Sequence, residues 1–279
     1  MMHVDARNAI DPKAAAAFDT ARLRQEFLIQ QLFQPGQVRI TYTQMERMSV
    51  GGAMPAGDRR VLGAVRQTGT ASFLDRREMV VVNIGGPGTV TAGDQTFAMD
   101  HRDMLYLGKG AGEVSFESAD AAEPAKFYLL SAPAHQAYPS RLVKIGEARR
   151  LDLGAQATSN ERTIYQFIHP ALVETCQLVV GMTVLAEGSV WNTMPCHVHD
   201  RRSEAYLYFA VPETARVFHF MGEPTETRHL VVANEEAILS PGWSIHCGAG
   251  TSNYTFVWGM AGDNIDYTDM DAVAMGDLR

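Results

Sequence analysis

Apolar and polar residues alternate in short runs along most of the chain, and glycine or proline commonly separates one run from the next. Examples are QVRITYT (37–43), AKFYLLSAP (125–133) and EAYLYF (204–209). Because successive side chains of a β-strand point to opposite faces, alternation over five to eight residues indicates half-buried strands. Closely spaced strands with turn signals are typical of a sandwich or a barrel, so the pattern predicts an all-β protein.

One segment departs from this pattern. Residues 12 to about 33 (PKAAAAFDTARLRQEFLIQQLF) begin with a proline, contain strong helix formers and are followed by Pro35-Gly36. This composition predicts an N-terminal helical segment, either one helix or two short ones.

The two halves of the chain contain similar stretches. Leu74-Asp75-Arg76-Arg77-Glu78 precedes MVVVNI, and His199-Asp200-Arg201-Arg202-Ser203-Glu204 precedes AYLYF. AKFYLLSAP and NYTFVWGMA (253–261) are separated by a similar distance along the chain. Such self-similarity favours a duplicated scaffold, in which the first half lacks the histidines. The polar segment near residues 140–160 marks the boundary, so we expect an N-terminal barrel at 1–150 and a C-terminal barrel at 151–279.

Composition excludes several classes of function. The chain has 279 residues, a formal net charge of −8 and no dense basic run, which argues against nucleic acid as a partner. No apolar run approaches the roughly 18 residues that span a bilayer, so we expect no membrane partner. The three cysteines form no paired framework and the N-terminus lacks an apolar signal core. We therefore expect a cytoplasmic protein.

The stretch MPCHVHDRRSE (194–204) carries the strongest chemical signal. His197 and His199 are two residues apart, so both can face one ion from a strand while Cys196 and Val198 point away. Glu204 lies five residues beyond His199, which would place it on the wrong face of a single straight strand. We expect residues 200–203 to form a turn or bulge that lets Glu204 face the histidines from the next strand.

A fourth ligand is expected at His246, which follows the turn Pro241-Gly242 in SPGWSIHCGAG (240–250). A histidine pair alone is more often two exposed or hydrogen-bonded imidazoles, but the added glutamate and third histidine favour a metal site. Three imidazoles and a carboxylate suit Zn²⁺, Fe²⁺, Mn²⁺, Ni²⁺ or Co²⁺. The other histidines are isolated and are expected to be exposed or hydrogen-bonded partners, with His219 in VFHFM a candidate pocket residue.

Several motifs resemble a known family. His-x-His, four residues and Glu resembles the first cupin motif, and Pro-Gly-x-x-x-His resembles a variant of the second. Further stretches across essentially the whole chain resemble 5-keto-4-deoxyuronate isomerase: NIGGPGTV (83–90), HRDMLYLGKG (101–110), PAKFYLLSAPAH (124–135), TSNERTI (158–164), WNTMPCHVHDRRSE (191–204) and SPGWSIHCGAGT (240–251).

This resemblance implies a bicupin, a hexameric assembly and one zinc ion per subunit, held in the second barrel by His197, His199, Glu204 and His246. It also implies conversion of 5-dehydro-4-deoxy-D-glucuronate, an acidic sugar, to 3-deoxy-D-glycero-2,5-hexodiulosonate in pectin and uronate breakdown. A divalent metal would stabilise the negative charge that grows on the substrate oxygens.

The remaining site residues are open from sequence. The catalytic residues are unknown, and the candidates for the acid or base are Glu174, Gln177 and Tyr254. The substrate carboxylate needs a cation, and the candidates are Arg162, Lys109, Arg202, Arg201 and Arg228, with Arg162 preferred. Trp243, close to His246 in sequence, could shape the pocket, whereas Trp191 and Trp258 are expected to be packing residues.

Two other functions fit the same pattern. An iron-dependent cupin dioxygenase could use three histidines and a glutamate for Fe²⁺. A non-catalytic sugar-binding cupin would keep the barrel without needing all four ligands. Oxygen consumption would identify the first, and indifference to replacement of Glu204 would identify the second.

Overall fold

The computed structural model describes residues 2–193 and 195–279. Its helices are α1 (Pro12–Ala16) and α2 (Thr20–Phe27). The strands up to residue 143 are β1 (Met2–Arg7), β2 (Leu28–Ile29), β3 (Gln37–Thr43), β4 (Ser49–Met54), β5 (Arg60–Leu62), β6 (Arg77–Asn83), β7 (Gly88–Ala92), β8 (Gln95–Met99), β9 (Met104–Leu107), β10 (Val114–Ser118), β11 (Phe127–Pro133) and β12 (Arg141–Val143).

The later strands are β13 (Arg149–Leu153), β14 (Arg162–Ile168), β15 (Val179–Leu185), β16 (Trp191–Asn192), β17 (His197–Val198), β18 (Arg202–Phe209), β19 (Val217–Glu223), β20 (Glu226–Val232), β21 (Glu236–Ser240), β22 (Cys247–Gly250), β23 (Thr255–Gly262) and β24 (Asp271–Ala272). Short 3-10 helices cover Arg66–Thr68, Ile145–Glu147, Gln156–Thr158 and Met275–Asp277. The chain is therefore mostly β, as the alternating pattern predicts. In the described chain, no helix has the length and apolar character needed to cross a bilayer.

The predicted helical segment at residues 12–33 contains both α-helices and ends earlier than the pattern suggests. Asp11 and Asp19 cap the two helices, because each carboxylate accepts a backbone N–H from the first turn. After Phe27 the backbone becomes extended, and Leu28–Ile29 pairs with Ile238 and Ala237 of β21. Strand pairing thus ends the helix before Pro35-Gly36.

The strands form larger and smaller sheets in each half of the chain. The seven-stranded sheets have the orders β1-β3-β4-β11-β6-β9-β12 and β13-β14-β15-β23-β18-β21-β2. The four-stranded sheets have the orders β5-β10-β7-β8 and β16-β22-β19-β20. The strand orders of the two halves correspond, so that β6 in the first occupies the place of β18 in the second.

The chain divides into two compact units. The first contains residues 1–8, 31–148 and 167–180, and the second contains residues 9–30, 149–166 and 181–279. A single cut near residue 150 does not describe this division, because segments 9–30 and 167–180 each belong to the unit formed mainly by the other half. The first unit has an apolar core that includes Val81, Leu105 and Leu129.

Glu78 of β6 is a fully buried carboxylate in the first unit. Its two oxygens accept the backbone N–H groups of Cys176, Gln177 and Leu178 at 2.7, 2.7 and 2.9 Å and the hydroxyl of Tyr106 at 2.8 Å. A buried charge is tolerable only when its hydrogen bonds are made, and here four donors make them. Glu78 thereby ties segment 174–178 to β6.

We expect Glu78→Gln to lower the free energy of unfolding by about 2–4 kcal/mol, because the amide removes the charge and turns an NH₂ group toward N–H donors. Urea denaturation followed by circular dichroism measures the effect. Glu117→Gln on an exposed position of β10 is the control and should change stability by less than about 0.5 kcal/mol. Equal stability of the two variants would show that the buried charge is not structural.

Candidate metal centre

The structure brings the four predicted ligands together in the second unit. His197 lies in β17, His199 just after it, Glu204 in β18 and His246 directly before β22. One nitrogen or oxygen atom from each lies within 4.8 Å of the others, and all four side chains are buried. The turn that the spacing of the motif predicts is present at residues 200–201, and β18 begins at Arg202.

The ligand atoms face one another. His246 Nε2 lies 2.9 Å from His197 Nε2, and Glu204 Oε2 lies 3.1 Å from His246 Nε2 and 3.3 Å from His199 Nε2. Among the described residues, His199 Nε2 is buried with no hydrogen-bond partner of suitable geometry. Lone pairs directed at one buried point repel each other unless a proton or cation lies between them. The donor set therefore fits a divalent transition metal.

Burial and neighbouring charges set the protonation states that such a metal requires. Burial, and secondarily His246, lowers the pKa of His197 to about 3. Burial alone would raise the pKa of Glu204, but His246 and His199 outweigh it and hold that pKa well below its usual value. At neutral pH, His197 is therefore a neutral imidazole and Glu204 a carboxylate, which are the forms that bind metals.

Outer contacts orient the rings. His199 Nδ1 donates to the backbone oxygen of Asp269 at 2.8 Å, which leaves its Nε2 lone pair for the central point. His246 Nδ1 lies 3.3 Å from the backbone oxygen of Ser244. Gly242 packs directly on the first ligand segment, because a Cβ atom there would lie 2.4 Å from the backbone oxygen of His199. A glycine at position 242 thus lets the two ligand segments approach this closely.

Cys196 lies outside the ligand group, as the strand parity predicts. It packs with Ile245 and Cys247 in a small buried cluster, against which Val198 also packs. The two cysteines adjacent to metal ligands are therefore core residues.

A cavity of about 270 Å³ adjoins the ligands. His197, His199 and Glu204 form part of its wall. The remainder includes Arg162, Ile164, Thr183, Tyr206, Phe256, Trp258, Met260, Tyr267 and Met270. Apolar and aromatic walls with a few polar groups are the usual composition of a small-molecule site.

Arg162 is the predicted substrate residue that the structure places on this cavity. Its Nη1 donates to the backbone oxygen of Asn160 at 3.0 Å, whereas its buried Nε atom has no hydrogen-bond partner in the described part of the chain. Burial lowers the pKa of Arg162 below the usual arginine value. A half-buried guanidinium with an unused donor is suited to bind a carboxylate.

Arg202 is not available to substrate, contrary to the prediction. It is 1% exposed, and its guanidinium donates to the backbone oxygens of Asp266 and Asp269, both at 2.7 Å. Arg201 is paired with Asp269 and Asp271, and Arg228 with Glu226. These three arginines therefore have structural roles, because their N–H groups already donate to acidic side chains or to backbone oxygens.

Trp243 and Tyr254 also lie away from the cavity. Trp243 donates its Nε1–H to the backbone oxygen of Ile10 at 3.1 Å and packs edge-on against Phe27, so it anchors the N-terminal segment. Tyr254 is 1% exposed and donates to the backbone oxygen of Gly248 at 3.0 Å. Neither belongs to the described cavity wall.

Lys109, Glu174 and Gln177 belong to the first unit, whereas the described ligands and cavity wall belong to the second. Glu174 is exposed, and Gln177 donates its side-chain amide to the backbone oxygen of Pro133 at 2.8 Å. None of the three is among the described ligands or the described cavity wall.

Sequence reasoning missed Tyr206 and Tyr267 and assigned Trp258 to packing. Tyr206 lies two residues after Glu204 on the same face of β18, so strand parity could have found it. Trp258 donates to Thr183 Oγ1 at 3.1 Å and also lines the cavity. Tyr267 lies in an irregular segment, for which no periodic signal exists. His219 is fully buried and bonded to Tyr208 rather than on the wall.

Known proteins resemble the chain in sequence and in fold. Residues 27–275 match the family model described as the KduI/IolB family. The chain is 62% identical to 4-deoxy-L-threo-5-hexosulose-uronate ketol-isomerase 2 of Rhizobium meliloti, with 99% of each chain covered. It is 60% identical to the 4-deoxy-L-threo-5-hexosulose-uronate ketol-isomerase of Cereibacter sphaeroides, with 100% of each covered.

Solved structures with low sequence identity share the fold. An IolB-like protein of Salmonella typhimurium has a TM-score of 0.68 at 18% identity, covering 81% of this chain and 87% of that one. A single-substitution variant of the oxalate decarboxylase of Bacillus subtilis has a TM-score of 0.55 at 11% identity, covering 78% and 70%. These matches are consistent with the cupin-like architecture expected from the motifs.

We expect the purified protein to hold about one divalent metal ion per chain. His246→Ala should lose most of it, because removal of one of the four donors weakens binding. Plasma emission spectrometry measures the metal. Chelation should lower the melting temperature of the unaltered protein and leave that of His246→Ala unchanged. His229→Ala, at an exposed histidine, is the control and should retain the metal. Full metal content in His246→Ala would refute this ligand set.

Proposed function

The chain belongs to the KduI/IolB family, and from this premise we propose that it is a metal-dependent ketol-isomerase acting on 5-dehydro-4-deoxy-D-glucuronate, with 3-deoxy-D-glycero-2,5-hexodiulosonate as product. The observation that carries the proposal is the buried group of three histidines and a glutamate, of which His197, His199 and Glu204 lie on the wall of a cavity that also presents Arg162. Relatives at 60–62% identity over the full chain are named as ketol-isomerases of 4-deoxy-L-threo-5-hexosulose-uronate. The reaction belongs to uronate and pectin breakdown.

Zinc is the metal we propose, with His197, His199, Glu204 and His246 as its ligands. A mainly imidazole donor set with one carboxylate is common for zinc, and Fe²⁺, Mn²⁺, Ni²⁺ and Co²⁺ use the same donors. When bound, the ion would supply Lewis-acid stabilisation of negative charge on the substrate oxygens.

The residues of the chain account for binding and orientation. Arg162 presents a guanidinium donor to the substrate carboxylate, which fixes the acidic end of the sugar. Trp258, Phe256 and Met270 form an apolar wall for the carbon skeleton of the sugar. Because Arg162 and the metal ligands line one cavity, an acidic sugar that reaches both would be favoured.

At the level of the fold we propose a bicupin, supported by the corresponding strand orders of the two halves. A homohexamer and a cytoplasmic location complete the proposal. Both come from the family resemblance and the composition of the chain.

Two readings compete with isomerisation. The three-histidine, one-carboxylate set also suits an iron-dependent dioxygenase. The second reading is a non-catalytic sugar-binding cupin, and the fold also occurs in vicilin of tomato, with a TM-score of 0.53 at 10% identity. At such identity, likeness concerns the fold alone. The ketol-isomerase relatives, with far higher identity, favour the isomerase.

We expect the metal-loaded protein to convert 5-dehydro-4-deoxy-D-glucuronate to its ketose without consuming oxygen. Removal of the metal by dipicolinate should reduce the rate at least about 100-fold, and Zn²⁺ should restore it. Proton NMR of the sugar follows conversion, and an oxygen electrode tests the dioxygenase reading. Full activity after verified metal removal would contradict metal dependence.

Arg162→Met should lower kcat/KM for the uronate by roughly 10- to 150-fold, mainly through KM, because a charge-assisted hydrogen bond contributes about 1.5–3 kcal/mol. Steady-state kinetics measure the change. Arg150→Met, at an exposed arginine paired with Asp152, is the matched control and should leave both constants unchanged. An unchanged KM in Arg162→Met would assign the carboxylate to another group.

A further inference from the structure

We propose that Tyr267 is the acid–base residue that moves a proton between the two reacting oxygens of the substrate. This inference rests on the proposed isomerase function. It concerns a residue in the segment between β23 and β24, where the sequence offers no periodic signal.

Tyr267 shares the cavity with the metal ligands and with Arg162. Its ring packs on that of Trp258, with centroids 5.3 Å apart, and the side chain of Gln166 is a polar neighbour of its hydroxyl. The ring is thus held by Trp258, while the residue still forms part of the cavity wall. A proton-transfer group needs this fixed position next to substrate.

The segment that carries Tyr267 is attached to the metal-ligand segment on both sides of the tyrosine. Arg202 donates to the backbone oxygens of Asp266 and Asp269, both at 2.7 Å. His199 Nδ1 donates to the same Asp269 oxygen at 2.8 Å. The carboxylate of Asp269 also pairs with Arg201. One set of contacts therefore orients a metal ligand and places the phenol.

The environment keeps the phenol protonated at neutral pH. Burial raises the pKa of Tyr267, and the nearby Glu204 carboxylate raises it further. Gln166 and the positive charges of Arg162 and Arg202 lower the pKa of Tyr267 without reversing the shift. A neutral phenol can donate its proton, and the cationic and amide neighbours would stabilise the phenolate that forms transiently.

The proposed step balances without an oxidant or reductant. An aldose becomes a ketose when one proton leaves C2 and one reaches C1, while a second proton leaves the C2 hydroxyl and one reaches the C1 oxygen. A water molecule in the cavity takes the proton that leaves C2 as the C1–C2 double bond forms, and the negatively charged C1 oxygen then takes the proton of Tyr267. The phenolate takes the C2 hydroxyl proton as the C2 ketone forms, and water returns a proton to C1.

Tyr206 is the other tyrosine of the described cavity wall, and its surroundings indicate a packing role. Its ring stacks on Phe256 at 5.2 Å and on Tyr208 at 6.0 Å, and it also contacts His219 and His246. We assign the proton transfer to Tyr267 because aromatic rings surround Tyr206, whereas contacts with Arg202 and His199 fix the segment that carries Tyr267.

The test uses the metal-loaded full chain with Tyr267→Phe, which keeps the ring on Trp258 and removes the hydroxyl. We expect kcat to fall by about 100-fold or more, with KM changed less than about threefold and metal content unchanged. In D₂O, exchange of the C2 hydrogen in recovered substrate should rise relative to product formation, since carbon deprotonation persists while oxygen protonation is slow. Gln166→Leu, which keeps the phenol but removes its partner, should give a smaller kcat loss with the same exchange signature.

Tyr254→Phe is the matched control, since it removes a buried hydroxyl of the same unit away from the cavity, and its kcat should stay near that of the unaltered protein. A Tyr267→Phe enzyme with kcat within about threefold of the original would overturn the proposal. An equal fall of C2 hydrogen exchange and turnover in Tyr267→Phe would also overturn it. The same holds if exchange rises relative to product formation in Tyr206→Phe instead. An unaltered protein that does not isomerise the uronate would refute the proposed function itself, which separates the two failures.

Discussion

The second unit is organised around the mutual repulsion of four buried ligand atoms. Three imidazole nitrogens and a carboxylate oxygen meet within 4.8 Å, and a cation is what makes this arrangement favourable. The local structure is arranged to hold that point: a turn after His199, a glycine at 242 that allows backbone contact, and the Asp269 carbonyl that fixes a ring. Substrate binding and proton transfer then depend on groups placed relative to it.

The grouping of His197, His199 and Glu204 could be predicted because it follows from strand periodicity and one turn. Side chains two residues apart on a strand lie on the same face, and the odd spacing between His199 and Glu204 requires a change of strand. Arg162 was preferred from the sequence, but the loss of Arg202 as a candidate could not be predicted, because backbone oxygens far along the chain occupy its donors. Those oxygens belong to residues about 60 positions beyond Arg202, in a segment without regular structure.

The overall class of fold was equally accessible, since alternation and turn residues are local signals. The division of the chain into two units could not be predicted, because residues 9–30 and 167–180 each belong to a unit formed mainly by the other half of the chain. Trp243 illustrates the same limit. Its place near His246 in sequence suggested the pocket, but its indole hydrogen bond goes to Ile10, more than 230 residues earlier.

Glu78 and Glu204 occupy corresponding strands, β6 and β18, yet their negative charges are compensated in different ways. The first is satisfied by three amides and a phenol from its own chain, and the second faces imidazoles in a group that could hold a metal ion. The first carboxylate therefore needs no bound partner once the chain folds, whereas a bound cation would compensate the second. One chain thus combines a purely structural carboxylate with one that would couple the stability of its unit to the concentration of a metal ion.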